Sequence, residues 1–246
     1  MVAAGDAPAV TPWHDIEGAD TGVLLIGDHA SSHVPDGVDL GVPAALMREH
    51  VAVDIGVAPL AEALCRALDC PAILGGVSRL VIDLNREADA PGLVPATSDG
   101  HVIPGNAIDR DVRQRRIDAY WRPYHRRIAE RIAATSPILL ISLHSFTPEL
   151  RTEATPRPWE IGILYNQDER AARIALPLLA AAGIVAGDNL PYSGKLLNAT
   201  MNAHGEANGI AYLGIEVRQD LISDDAGIAR WAARLAPIIR QVRAGL

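Results

Sequence analysis

The apolar positions of this chain fall into short unbroken runs separated by stretches with a helical period. Residues 22–27 (GVLLIG) are apolar throughout, the pattern of a strand covered on both faces. "PILLISLHS" (137–145), "WEIGILYN" (159–166) and "AYLGIEVR" (211–218) repeat it. "PAIL" and "SRLVIDLN" are two more strand candidates, placed on either side of the Gly75-Gly76 pair. Elsewhere the period lengthens. Val57, Leu60, Ala61, Leu64 and Leu68 predict a helix over 54–68. Ile117, Trp121, Tyr124, Ile128 and Ile132 line one face of a long helix over 108–134, which Pro123 should kink or divide. Further helices are predicted over 169–182 and around Ile228, Trp231, Leu235, Ile238 and Val242. Residues 87–106 are rich in Pro, Gly, Ala and Asp and read as a long surface loop, a kind that often carries function.

Strands and helices thus alternate. The expected fold is α/β: a three-layer αβα sandwich around a mixed, largely parallel sheet. No repeat, low-complexity tract or linker divides the chain, so one domain over 1–246 is expected. In such sheets ligands bind beyond the carboxyl ends of the strands, which directs attention to the residues that end each run.

Composition narrows the function. The formal charge is −8, with Lys+Arg 22 against Asp+Glu 30. That balance argues against a nucleic-acid partner, which requires a concentrated basic surface. It leaves room for a small anionic substrate, because a few arginines suffice to grip one. Aromatic residues make up 4% of the chain, so the core must be aliphatic. Cys65 and Cys70 read as buried reduced thiols rather than a disulfide framework. The stretch "MVAAGDAPAV" lacks the pattern of a secretory leader, and no apolar run approaches a membrane span. A cytoplasmic protein with no membrane partner is the expectation.

Four predicted strands end in chemically loaded residues: Asp28-His29, Asp83 with Asn85-Arg86, His144-Ser145, and Glu216 with Arg218. Gathered at one sheet edge, these are the parts of a metal-assisted hydrolase for an anionic substrate. Each also has an ordinary structural reading. Asp83 can cap a turn or pair with Arg79, and Glu216 with Arg218 can form a surface pair. Composition and spacing leave the two readings evenly balanced. His29 and His33 lie four apart, but a helical zinc site is disfavoured: "HASSH" lacks the metalloprotease glutamate, and Pro35 follows closely. Ser31, Ser32 and Ser145 lie near histidines without a G-x-S-x-G elbow, and no phosphate-binding glycine motif is present.

The stretches "GDHASSHVP", "VDIGVAPLAEAL", "SRLVIDLNRE", "SLHSFTP", "DNLPYSG" and "GIEVRQDLI" occur in order over about 24–224, and together they resemble the N-formylglutamate amidohydrolases. The resemblance implies an αβα fold related to the zinc carboxypeptidases and aspartoacylase-type deacylases. It also implies a divalent metal, zinc by analogy, and hydrolysis of an amide on an acidic amino acid. By that resemblance His29 and His144 are metal ligands, Asn85 and Arg86 hold a substrate carboxylate, and Glu216 activates water. The related deacylases carry a glutamate three residues after the first histidine. Ser32 stands there in this chain, so Asp54 is taken as the substitute ligand. Arg79 or His204 would stabilise charge on the carbonyl oxygen, Arg218 would grip a second carboxylate, and Ser145 would line the substrate site. Two alternatives stay open: an acetyl or succinyl deacylase, and a non-catalytic carboxylate-binding protein.

Overall fold

A computed structural model describes residues 11–152 and 155–246. The stretch 1–10, read above for a leader, lies outside them. Seven strands form one sheet: β1 (Trp13–Ile16), β2 (Val23–Gly27), β3 (Ala72–Gly75), β6 (Leu139–Phe146), β7 (Ile161–Leu164), β8 (Ala186–Asp188) and β9 (Ala211–Arg218). Its order is β1-β3-β2-β6-β9-β7-β8. The four central strands β3, β2, β6 and β9 run parallel. The flanking strands β1 and β7 run antiparallel to their inner neighbours, and β8 follows β7. The expected mixed, largely parallel sheet is therefore present.

Six helices cover it: α1 (Val57–Leu68), α2 (Arg110–Arg116), α3 (Arg122–Thr135), α4 (Arg170–Ala181), α5 (Ala199–His204) and α6 (Asp225–Ala244). Helix α6 packs on α1 and α4, and α3 packs on β3 and α5, which gives a helical layer on each face. The core between them is aliphatic. Leu24, Leu25 and Ile26 on β2 are fully buried, each contributing roughly 1.5–3 kcal/mol through burial. Cys65 and Cys70 are buried and unpaired, their sulfurs 4.0 Å apart. No described helix is long and apolar enough to cross a membrane.

The long helix expected over 108–134 is divided, as Pro123 implied, into α2 and α3; the break is a π-helical turn, Ile117–Trp121, which places Pro123 in the first turn of α3. There a missing N–H costs little. The stretch "SRLVIDLN" is not a strand. It is a buried coil of turns in which Val81 and Ile82 donate back to Ser78 O and Asp83 donates to Leu93 O. Its apolar residues are core, as the pattern implied, but three of its peptide carbonyls are satisfied by side chains. Asn106 Nδ2 donates to Leu80 O, Arg116 Nη1 to Val81 O, and His125 Nε2 to Leu84 O. Once those groups have partners, a buried backbone needs no sheet neighbour.

The loop 87–106 carries a small hairpin of β4 (Thr97–Ser98) and β5 (His101–Val102). Asp99 in its turn accepts from the backbone of Arg151 and Thr152 and pairs with His50 Nε2 at 3.0 Å. The loop is thereby tied to the body of the protein. Strands β1 and β8 and helix α5 carried no pattern long enough to predict.

Candidate active site

The carboxyl ends of β2, β6 and β9 open into a cavity of about 530 Å³. His29 enters it two residues after β2. Asp54 enters from the turn before α1, where its amide donates to His29 O at 3.0 Å. The turn into α1 requires Gly56, whose φ of 80° is left-handed and whose missing Cβ would meet the Ile222 carbonyl. His144 lies within β6 rather than at its end, directly opposite Glu216 of β9. The parallel register puts both side chains on one face.

Two histidines and a carboxylate converge here. Asp54 Oδ2 lies 2.8 Å from His144 Nδ1 and 3.5 Å from His29 Nδ1. One ligand atom from each of His29, Asp54 and His144 falls within 4.8 Å of the others, and all three residues are buried. Two imidazoles with a carboxylate suit a divalent ion such as zinc. The far side of each ring is braced. His29 Nε2 lies 2.6 Å from Asp83 Oδ1, and His144 Nε2 lies 3.3 Å from Asp28 Oδ2. A ligating histidine commonly has its second nitrogen on a carboxylate in this way. The residues therefore fit a divalent metal.

Arg79 crosses the same group. Its Nη1 donates to Asp54 Oδ1 at 2.9 Å, and its Nη2 donates to His29 Nδ1 at 2.8 Å. The tautomer of His29 that satisfies both neighbours carries its proton on Nε2, facing Asp83. Burial works against ionisation of Asp83 and Asp54. The histidines and Arg79 outweigh it and hold both carboxyls below their usual range. For His144, burial disfavours the charged ring, but Asp28 and Asp54 outweigh burial and raise its pKa well above the ordinary value.

Glu216 behaves in the opposite sense. Burial pushes its carboxyl up to about 7, with the Asp54 charge adding to the effect and His144 opposing it. Its Oε2 has no hydrogen-bond partner among the described residues. On the neighbouring strand Gly162 stands in register with Glu216, so no side chain crowds the carboxylate there.

The outer cavity carries Asn85, Arg86, Ser145 and Tyr192. Arg86 is half-exposed, held loosely by Asp83 at 3.6 Å. Asn85 Oδ1 caps α5 through Thr200 N, leaving its amide nitrogen free to donate. Ser145 Oγ is tied to Ile55 O at 2.8 Å, which fixes the turn carrying Asp54.

Two expected site residues lie elsewhere. His204 is not in the cavity. It ends α5 with its ring stacked on His125, Nε2 to Nδ1 at 3.0 Å. Arg218 lies past Glu216 and is taken up by Asp220 at 2.8 Å and by Trp159 O. His33 is exposed in an irregular loop and does not line the cavity, and no helix joins it to His29.

Sequence reasoning noted Asp28 and Asp83 at strand ends but gave neither a place beside the histidines, and it gave Tyr192 no role. Asp83 and Asp28 act through histidines distant in sequence, which no local pattern reveals. Tyr192 stands in "DNLPYSG" and had a signal in that family-like stretch. Arg157 Nη1 donates to its hydroxyl at 3.0 Å, so the phenol's own proton remains available to the cavity.

Comparison with known proteins agrees with this geometry. The sequence profile of the N-formylglutamate amidohydrolases matches residues 21–223. The chain belongs to the N-formylglutamate amidohydrolase family. The crystal structure of gene product Atu2144 from Agrobacterium tumefaciens is 30% identical, superposes with a TM-score of 0.88, and each chain covers 95% of the other. An N-formylglutamate amidohydrolase from Ralstonia eutropha is 20% identical with a TM-score of 0.74, covering 96% of this chain and 97% of its own, and shares the fold. A search of curated proteins found no match. Membership makes the chain an amidohydrolase, and the buried His29, Asp54 and His144 could hold a metal ion.

Proposed function

We propose that this amidohydrolase removes an acyl group, formyl in the first instance, from the nitrogen of an acidic amino acid such as glutamate. The observation that carries the reading is Glu216: a buried carboxyl raised to about 7, with one oxygen unpartnered, facing the His29, Asp54 and His144 group. A pure binding protein needs no such base. A divalent ion, zinc in our reading, would be held by these three residues and would supply Lewis acidity that polarises the amide carbonyl and acidifies water.

The remaining steps belong to the chain's own side chains. Glu216 accepts the proton of the attacking water and later delivers it to the leaving nitrogen. Arg79 stabilises negative charge developing on the carbonyl oxygen, with the Tyr192 hydroxyl as a second donor. Arg86 grips a substrate carboxylate bidentately, and the Asn85 amide adds a neutral donor. Atoms balance as amide plus water giving glutamate plus formate. Arg218 and His204 take no part, because each is committed to a partner outside the cavity. The remainder of the reading is a one-domain cytoplasmic enzyme with a small anionic substrate and neither nucleic acid nor membrane as partner.

Metal analysis of the purified protein, coupled to formate release from N-formylglutamate, tests the proposal. Stoichiometric divalent metal with formate release supports it. Protein that lacks both refutes it. Assaying N-acetyl- and N-succinylglutamate alongside separates the deformylase from the larger-acyl deacylases, for which a cavity of about 530 Å³ also has room.

A further inference from the structure

An N-acyl acidic amino acid carries two carboxylates, and Arg86 accounts for one of them. Arg218, expected for the other, is held outside the cavity by Asp220. Among the described residues that line the cavity, those able to carry positive charge are His29, His50, Arg79, Arg86 and His144. His29 and His144 belong to the metal-binding group, and Arg79 is bonded to Asp54 and His29. His50 is left.

The surroundings of His50 prepare it for an anion. Its Nε2 lies 3.0 Å from Asp99 Oδ2. Asp99 and Gly100 form the tight turn of the β4–β5 hairpin, both with left-handed φ, 41° and 79°. The Asp99 side chain is 5% exposed, and its oxygens also accept from Arg151 N, Thr152 N and Thr152 Oγ1. Burial works against ionisation of Asp99, but the Arg151 and Thr152 donors outweigh it and hold its carboxyl below the usual range. An ionised carboxylate only accepts, so Nε2 carries a proton. Nδ1 has no hydrogen-bond partner among the described residues and is the nitrogen left for a ligand.

We propose that His50 receives the second carboxylate of the substrate, the side-chain carboxylate of an N-acyl dicarboxylic amino acid such as glutamate. The inference rests on the deacylase reading of the cavity. With a carboxylate at each nitrogen the ring is an imidazolium, since histidine gains its charge close to neutrality and two anions favour that form. Each contact is then a charge-assisted hydrogen bond. Asp99 is itself tied to Arg151 and Thr152, so the ring is oriented before substrate arrives and little ordering remains to be done on binding. Arg86 and His50 together make two carboxylate sites in one cavity, which selects a dicarboxylate over its neutral amide.

His50→Gln removes the charge and keeps an amide to face Asp99. The readout is kcat/KM for N-formylglutamate and for N-formylglutamine, which differ only in that carboxylate. If another acyl group is the better substrate, the pair is made with that group. The wild type should favour the glutamate derivative about 10–100-fold, as one charge-assisted hydrogen bond allows, and His50→Gln should lose most of that preference through KM. An equal fall for both substrates marks a structural role and overturns the proposal, and so does an unchanged preference. If His50→Gln fails to fold, the wild type decides alone. Its His50 ring ¹⁵N resonances should move on titration with glutamate and stay in place with glutamine. Movement with both, or with neither, overturns the proposal. Protein that deacylates no glutamate derivative yet shows the glutamate-specific shift refutes the deacylase reading and retains the carboxylate site at His50.

Discussion

Glu216 owes its raised carboxyl to burial, and this fixes the sign of the pH response. A general base works deprotonated, so kcat/KM should rise with pH through an acidic limb at or below about 7, since a cation held nearby would draw the limb lower. A pH–rate profile with N-formylglutamate checks this. Glu216→Gln keeps the shape and removes the base. It should lower kcat about 10²–10⁴-fold with little change in KM, measured by formate release. The two arginines make a paired test. Arg86→Lys should raise KM for an acidic substrate about tenfold, because an ammonium cannot bond a carboxylate bidentately. Arg218→Ala should leave KM unchanged, because Asp220 already holds that guanidinium. His29, His144, Asn85, Arg86 and Glu216 were legible because each sits at or near the end of an apolar run, whereas Asp54 entered only through the family resemblance. The parts of Asp28 and Asp83 were not, because those carboxylates act only through rings brought to them by folding.

At the scale of elements, the apolar runs of β2, β6, β7 and β9 announced themselves, since strands buried on both faces admit few polar residues. "SRLVIDLN" shows the limit of that signal. Continuous burial alone does not distinguish a strand from a coil whose carbonyls are capped by distant side chains. The turn into α1 gives a sharper test. Gly56→Ala would force a left-handed residue with a Cβ against the Ile222 carbonyl, at a cost of about 2 kcal/mol or more. Urea denaturation should show the loss. Zinc affinity should fall as well, since Asp54 hangs from the same turn.

For the whole molecule, the stacked His125 and His204 make one contribution to the response to mild acid. Burial lowers both, His204 to about 4, with His125 adding to the effect. Between the unfolded value near 6.5 and about 4, the unfolded chain takes up protons that the folded one refuses. The His204 contribution therefore falls as pH drops through that window, by up to about 3 kcal/mol, while the raised carboxyl of Glu216 contributes in the opposite sense between about 7 and its unfolded value. Urea midpoints at pH 6.5 and 4.5 for the wild type and His204→Gln isolate the first: between those pH values the wild type should lose more, or gain less, stability than His204→Gln.

The capped carbonyls of Leu80, Val81 and Leu84 carry a genetic consequence. When two side chains bond each other, a loss at one position can be repaired at the other. Asn106, Arg116 and His125 bond peptide groups, which no codon can alter, and in addition Arg116 donates to Asn106 Oδ1 at 2.7 Å and His125 meets His204. A suppressor screen on Asn106→Ala should therefore return true revertants, general stabilisers or changes at position 116, whose guanidinium loses a partner, and never a compensating change at position 80 or 95, whose carbonyls Asn106 serves. Covariation should therefore be confined to the pairs Asn106–Arg116 and His125–His204, although the loop bearing Asp83, Asn85 and Arg86 depends on the peptide bonds as well.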